Sequence, residues 1–136
     1  MTVSNPKRFY IAGSFRLLTL ITDISRKIEN TGLIRTYDWA KNTQQPNLDQ
    51  LHDIAEQEYQ GLINCDFFVF IFPGGKGSNI EFGIATALHK RIYILDTTGK
   101  TDDPEETSSF YLMEHVARFH GTTDAFIEFI LNKETN

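Results

Sequence analysis

The chain has 136 residues, of which 40% are hydrophobic and 23% are charged, and its formal net charge at pH 7 is −5. This length predicts one domain, residues 1–136, with room for a sizeable core, and the acidic balance argues against nucleic acid as a partner. The single cysteine, Cys65, excludes an internal disulfide and favours a reducing, cytoplasmic environment. The apolar runs are too short to span a bilayer and no signal-peptide pattern is evident, so we expect no membrane association.

The apolar pattern then predicts strands and helices in alternation. In chain order we expect a strand at 8–12, a helix with an apolar stripe over 17–28, a strand at 33–37 and a helix at 48–64. We next expect a strand at 67–72, a helix beginning near Ser78 or Asn79, strands at 91–95 and 116–119, and a helix from residue 122. This order predicts a doubly wound, flavodoxin/Rossmann-like α/β fold, with a parallel sheet of about five strands and helices on both faces.

The stretch from the predicted strand 67–72 to Glu81 carries the strongest functional signal. The strand is apolar without alternation, as a central parallel strand is, and Pro73-Gly74-Gly75 ends it. Gly77 lets a ligand approach the main chain closely, and the helix N-terminus behind it offers free N–H groups to a phosphate. We expect Glu81 in the first helical turn, where the helix dipole would lower its pKa and keep it ionised. The alternative is that Glu81 is simply a favourable helix-start residue.

Other candidate residues gather at the carboxyl ends of the predicted strands, where sheets of this type bind ligands. They are Gly13-Ser14-Phe15-Arg16, Asp38-Trp39, the loop from Pro73 to Glu81, and Asp96. Glu58 falls on the apolar face of the predicted helix 48–64, so it either reaches water at the edge of that face or is held in a site. For Trp39 two interpretations stay open: it stacks on a base, or it packs on the edge of the sheet.

With these residues assembled, the chain resembles the nucleoside 2-deoxyribosyltransferase-like family over almost its whole length. The motifs that carry the resemblance are Tyr10-Ile11-Ala12-Gly13-Ser14, Tyr37-Asp38-Trp39, Asp66, Pro73-Gly74-Gly75-Lys76-Gly77-Ser78 and the continuation to Ala85. The resemblance implies a flavodoxin-like fold and cleavage of the N-glycosidic bond of nucleosides or nucleoside monophosphates. It also implies assembly into homodimers or higher homo-oligomers.

The resemblance also implies a mechanism. Glu81 would attack the anomeric carbon of the sugar and hold a glycosyl-enzyme intermediate, and Tyr10 could hydrogen-bond the Glu81 carboxylate. Relatives usually place a proton-handling aspartate eight residues before the position of Asp66, and this chain has Glu58 there. The catalytic candidates are therefore Glu81, Glu58 and Tyr10, in the two-carboxylate pattern of retaining glycosidases.

Substrate binding is assigned to the residues around this centre. They are Ser14, Phe15, Arg16, Asp38, Trp39, Pro73, Gly74, Gly75, Lys76, Gly77, Ser78 and Ser109. By the resemblance, Gly75, Gly77 and Ser78 would lie at the 5′ end of the sugar, where Lys76 favours a nucleotide over a free nucleoside. Ser109, or Ser108 beside it, loosely matches a segment that reaches a phosphate in the neighbouring subunit of relatives. We predict no cofactor and no metal site.

Three alternatives stay open at the level of function. The loop Pro73-Gly74-Gly75-Lys76-Gly77-Ser78 followed by Glu81 also resembles the PGGxGTxxE motif of the "lonely guy" phosphoribohydrolases, which hydrolyse nucleoside monophosphates. An NAD glycohydrolase would cleave the same kind of bond. A non-catalytic nucleotide or dinucleotide sensor would keep the glycine loop without needing two carboxylates. The sequence leaves open whether the acceptor is water or a second base.

Overall fold

The computed structural model describes residues 6–42 and 45–135 and is built on one parallel sheet. The five strands are β1 (Arg8–Ala12), β2 (Ile34–Arg35), β3 (Phe67–Phe72), β4 (Arg91–Asp96) and β5 (Val116–Phe119). Their spatial order is β2-β1-β3-β4-β5, and each neighbouring pair runs parallel. The order reverses between β1 and β3, and doubly wound sheets bind ligands at such a reversal. The predicted doubly wound α/β fold is confirmed.

Four helices cover the sheet: α1 (Leu18–Glu29), α2 (Leu48–Asn64), α3 (Lys76–Ala87) and α4 (Thr123–Glu134). α1 packs with α4, and α2 packs with α3, so the two pairs lie on opposite faces of the sheet. α2 begins where predicted because Asn47 and Gln50 form a reciprocal capping box. Within the described ranges, no helix combines the length and the hydrophobicity needed to cross a membrane.

The core is organised around β3, whose six side chains are all buried. The parallel register places Tyr10 beside Phe68, and their rings stack with centroids 5.9 Å apart. Phe68 in turn meets Phe82 of α3 edge to face at 6.3 Å. Tyr10 therefore points to the face of the sheet that α2 and α3 cover, although it is fully buried among aromatic residues.

The structure corrects the predicted start of α3. The helix begins at Lys76, and Gly75 is its N-cap in an extended conformation, so neither Ser78 nor Asn79 caps it. The Gly75 N–H donates instead to the Ser78 hydroxyl at 2.7 Å, which holds the loop against the first turn. Because the helix starts earlier than predicted, Glu81 lies beyond its first turn. The predicted strand 33–37 is likewise shorter, since only Ile34–Arg35 pairs with β1.

Candidate active site

Two carboxylates and a tyrosine hydroxyl meet at the carboxyl end of β1. The Tyr10 hydroxyl donates a short hydrogen bond to Glu81 Oε2 and lies 3.5 Å from Glu58 Oε2. Glu81 comes from α3, Glu58 from α2 and Tyr10 from β1, so three elements are needed to assemble the cluster. These are the three residues that the sequence marks as catalytic candidates, and the structure brings them together.

The electrostatics of Glu81 are the reverse of the expectation from the sequence. Burial raises the pKa of Glu81 to about 8, and the neighbouring charge of Glu58 acts in the same direction. Burial also raises the pKa of Glu58. The expected lowering by the helix dipole is wrong, because Glu81 lies past the first turn and in a desolvated position. Near neutral pH the two carboxyl groups therefore share a proton, and they titrate as a pair.

Tyr10 is a donor in this cluster. Its pKa is raised by burial and by the Glu81 carboxylate, so the phenol keeps its proton throughout the physiological pH range. The protonated phenol donates its single hydrogen bond to the Glu81 carboxyl oxygen. The hydrogen bond fixes one oxygen of Glu81.

The close approach of Tyr10 to α2 depends on Gly61. A Cβ atom at Gly61 would lie 3.0 Å from Tyr37 Cβ and 3.1 Å from Tyr10 Cε2. We expect Gly61→Ala to destabilise the protein by about 1–3 kcal/mol, because the added methyl overpacks a rigid aromatic neighbourhood. Gly83→Ala is the matched control, since a Cβ at Gly83 on α3 meets open space and should stabilise by about 0.5–1 kcal/mol. Urea unfolding of both variants tests this, and equal stability changes in the two would contradict it.

Glu58 and Glu81 line a cavity of about 250 Å³, here called the inner cavity, and the buried Tyr10 contacts both carboxyl groups. The inner cavity is lined by Gly13, Ser14, Phe15, Trp39, Glu58, Gly75, Lys76, Gly77, Ser78 and Glu81. The first helical residues of α3 have no acceptor one turn before them, so their N–H groups point out of the helix end beside Lys76. The inner cavity thus joins a partly buried pair of carboxyl groups to a helix N-terminus and a lysine, an arrangement that suits a sugar phosphate.

A larger cavity of about 620 Å³, here called the outer cavity, continues from the inner one. It is lined by Phe15, Leu18, Trp39, Asn42, Pro46, Leu51, Ile54 and Glu58. Phe15, Trp39 and Glu58 belong to both linings and therefore mark the junction. Most of the lining is apolar, which suits a planar base better than a second phosphate group.

Sequence reasoning missed the outer cavity. Leu51 and Ile54 have the helical spacing of core residues, but Leu51 is 46% exposed and both side chains border open space. The available signal in the sequence was a glutamate on the same helical face as two large apolar residues. Periodicity alone cannot reveal it, because a cavity wall and a core face follow the same helical repeat.

Several predicted substrate-binding residues lie outside both linings. The exposed Arg16 faces a separate groove with Leu20 and Asp23, and Ser109 begins an exposed 3₁₀ turn (Ser109–Leu112). Pro73 is exposed, and Gly74 lies behind the loop, where a Cβ would come within 2.6 Å of Phe70 Cζ and Ser78 Oγ.

Asp38 and Asp96 have local structural partners. Asp38 pairs with Arg35 at 3.1 Å, and its carboxylate accepts the Ala40 N–H at the start of the 3₁₀ turn Trp39–Lys41. Asp96, expected at the pocket, is buried and binds the main chain of the loop that follows β4, including the Thr101 N–H at 2.9 Å.

Trp39 is buried at the edge of the sheet. Trp39 is 5% exposed, and its indole N–H donates to the Ile11 carbonyl at 2.7 Å. This is the environment of a residue packed on the edge of the sheet, although part of its ring borders both cavities. Phe15 packs edge to face on Trp39 at 5.2 Å and is 60% exposed. Phe15 is therefore the aromatic side chain with a surface free to stack on a base.

No family model and no curated protein sequence matches the chain. Solved structures do match it. The CMP N-glycosidase BcmB from Clostridium botulinum superposes with a TM-score of 0.62 at 17% identity, covering 91% of this chain and 98% of that one. A 2-deoxyribosyltransferase from Bacillus psychrosaccharolyticus gives 0.66 at 13% identity, covering 87% and 88%. BlsM gives 0.62 at 18% identity, covering 98% and 97%. The chain therefore has the fold of a 2-deoxyribosyltransferase and of a CMP N-glycosidase, which is the fold that the sequence resemblance implied.

Proposed function

We propose that the protein cleaves the N-glycosidic bond of a nucleoside 5′-monophosphate or nucleoside, by hydrolysis or by base exchange. The observation that carries the proposal is the Glu81–Glu58–Tyr10 cluster, whose two carboxyl groups line the inner cavity and whose Glu58 also lines the apolar outer cavity. The fold shared with a CMP N-glycosidase and a 2-deoxyribosyltransferase supports it. A protein that only binds a nucleotide would not need two partly buried carboxyl groups with raised pKa values, whereas a two-carboxylate glycosidase does.

The chemistry follows from the shared proton. Burial favours the proton on Glu81, and the reactive form of the singly protonated pair is the one in which the proton has moved to Glu58 and Glu81 is the carboxylate. Glu81 attacks the anomeric carbon as the bond to the base breaks, and Glu58 gives its proton to the departing base nitrogen. The sugar is then held as an ester of Glu81. Water or a second base, deprotonated by Glu58, attacks the same carbon, releases the sugar and restores the starting proton count.

We propose that the two cavities receive different parts of the substrate. The sugar and its 5′-phosphate would occupy the inner cavity, with the phosphate at the N-terminus of α3 beside Lys76 and Ser14. The base would lie against Phe15 in the outer cavity. Since Glu58 lines both cavities, its carboxyl group is close to the bond between sugar and base. No arginine or lysine lines the outer cavity among the described residues, which disfavours a dinucleotide whose pyrophosphate would have to cross it.

The test is a chromatographic screen for free base. The protein is incubated with each common nucleoside, its 5′-monophosphate and NAD, with and without a second base. Base release from a nucleotide or nucleoside would support the proposal, and formation of a new nucleoside when the second base is present would identify a transferase. Absence of release from every substrate, combined with tight nucleotide binding, would overturn the proposal in favour of a sensor.

Glu58→Gln should lower the turnover rate by about 10²-fold, because the amide cannot give a proton to the departing base. The rate should fall far less for a substrate whose leaving group departs without a proton. The informative comparison is therefore the 4-nitrophenyl glycoside of the same sugar, which has 4-nitrophenol in place of the base. Turnover is measured across pH 5–9 for both substrates. An unchanged rate with the natural base across that range would remove Glu58 from the reaction.

We further propose that the protein is a cytoplasmic homodimer, as the family resemblance implies. The exposed side of α2 carries apolar side chains one helical turn apart, with Tyr59 44% and Ile63 37% exposed. A stripe of this kind on a helix is typical of a surface that another protein covers. Tyr59→Asp is expected to shift the protein to monomer in analytical ultracentrifugation, whereas Glu56→Asp should not. A wild-type monomer at micromolar concentration would contradict the proposal.

A further inference from the structure

The guanidinium group of Arg35 packs against one of the aromatic residues at the junction of the two cavities. Arg35 is the last residue of β2, and its side chain is 6% exposed. Its Cζ atom lies 5.9 Å from the centroid of the Trp39 ring, within the range of a cation–π contact. Trp39 in turn holds Phe15 edge to face, with ring planes at 79°. Arg35, Trp39 and Phe15 therefore form a continuous series from the buried edge of the sheet to the exposed aromatic ring at the cavity junction.

The position of Arg35 is unfavourable for stability alone. Nη1 pairs with Asp38 Oδ1 at 3.1 Å, but Nε and Nη2 have no hydrogen-bond partner among the described residues. Burial lowers the pKa of Arg35, which shows that the site disfavours the charge. Replacing a buried ion by an apolar residue of similar volume is often neutral or stabilising. A buried arginine with unpaired nitrogens therefore calls for an explanation other than stability.

Trp39 supplies that explanation. Its indole N–H is fixed by the Ile11 carbonyl, and its backbone is fixed because Asp38 caps the 3₁₀ turn in which it stands. Arg35 touches both parts of this arrangement: it pairs with Asp38 and it faces the Trp39 ring. A single side chain thus contacts both the acid that caps the turn and the ring that the turn carries.

We propose that Arg35 is a positioning residue that, through Asp38 and Trp39, holds Phe15 at the orientation needed to receive the base. Arg35 borders neither cavity, so it acts on the substrate only through the aromatic pair. This inference deepens the proposed function and rests on it. It also gives Asp38 a supporting place in the site, since its carboxylate joins Arg35 to the turn that carries Trp39.

The test compares Arg35→Met and Arg35→Lys with Arg26→Met, an exposed arginine on α1. Methionine keeps the volume of the arginine stem and removes the charge, whereas lysine keeps the charge and removes the planar group. For Arg35→Met we expect a melting temperature equal to or above that of the wild type, and a KM for the cleaved nucleotide raised about fivefold at nearly constant kcat. Arg35→Lys should show the same rise in KM, and Arg26→Met should show none.

Fluorescence gives a readout that is independent of turnover. Trp39 is the only tryptophan, so the intrinsic emission of the protein reports directly on this ring. Arg35→Met should shift the emission maximum, and titration with AMP, GMP, CMP and UMP should give dissociation constants about fivefold weaker than those of the wild type. Arg26→Met should leave both quantities unchanged.

The outcomes separate this inference from the proposed function. If the wild type releases no base but Arg35→Met still shifts the emission and weakens nucleotide binding, the proposed reaction fails and the role of Arg35 stands. If Arg35→Met has wild-type emission, KM and nucleotide affinity, the positioning role is overturned while the reaction is untouched. Should Arg35→Met not fold, Arg35→Lys decides, because wild-type KM and emission in that variant would overturn the inference.

Discussion

In the Glu81→Gln variant, release of free base is expected to fall by at least about 10³-fold, while the variant remains folded. Glutamine keeps the size of the side chain and an oxygen that can accept the Tyr10 hydrogen bond, but it cannot form the ester with the sugar. At neutral pH Glu81 must bind a proton on folding because its folded-state pKa is raised to about 8, and glutamine removes that cost. Loss of activity should therefore be accompanied by equal or higher stability of the fold.

Glu56→Gln is the matched control, because Glu56 lies on the exposed side of α2 and outside both cavity linings. It should leave base release within about twofold of the wild type. Circular dichroism and thermal melts would show that both variants are folded. A folded Glu81→Gln protein with substantial activity would exclude Glu81 as the nucleophile. Mass spectrometry of a reaction quenched in acid provides a direct check, since the sugar adduct should form in the wild type and be absent from Glu81→Gln.

The second large effect is a loss of stability as pH rises from about 4.5 to about 8. In the unfolded chain Glu81 loses its proton near its ordinary pKa, whereas burial in the folded chain raises that pKa to about 8. Between these values the folded state binds more protons than the unfolded state, so the free energy of unfolding falls with increasing pH. The contribution is fully present below about pH 4.5 and is lost once pH passes about 8. A total change of a few kcal/mol is expected.

Thermal melts of the wild type and of Glu81→Gln at intervals from pH 5 to 9 would measure this effect. The two proteins share every other titratable group, so the difference between the two curves isolates the carboxylate pair. Burial raises the pKa of Asp96 but hydrogen bonds from Thr101, Thr98 and Gly99 outweigh it, leaving a value of about 2 that lies below this window. The two curves should converge at low pH and separate towards pH 8. Parallel curves over the whole range would contradict the shared proton.

The same proton predicts the activity profile. Above about pH 8 the pair is fully ionised, so no proton remains for the departing base, and the rate of release should fall. In Glu58→Gln this alkaline limb should disappear. The stability curve and the alkaline limb should share one apparent pKa, because both report the loss of the proton that the two carboxyl groups share.

Much of the fold could be predicted from local features. The bounds of α2 followed from Pro46-Asn47 and the helical repeat, because a capping box needs residues close together in sequence. β3 was predicted at its observed bounds because an unbroken apolar run without alternation is the signature of a strand covered on both faces. The start of α3 was misplaced because Ser78 can serve as an N-cap or, as observed, as a partner of the Gly75 N–H.

By itself, the sequence determined the sheet, the glycine loop and the identity of the candidate acids, since each depends on short-range pattern or on a motif with fixed spacing. The tertiary structure decided which groups those acids contact and how their pKa values are shifted. Tyr10 and Glu81 are 71 positions apart, and Tyr10 and Glu58 are 48 apart, so their contacts exist only after the sheet and both helices have packed. Desolvation then raises the pKa of Glu81, where its place in the sequence predicted a lowered value. A pKa reflects the surroundings of a group in space, and those surroundings are formed by residues distant in sequence.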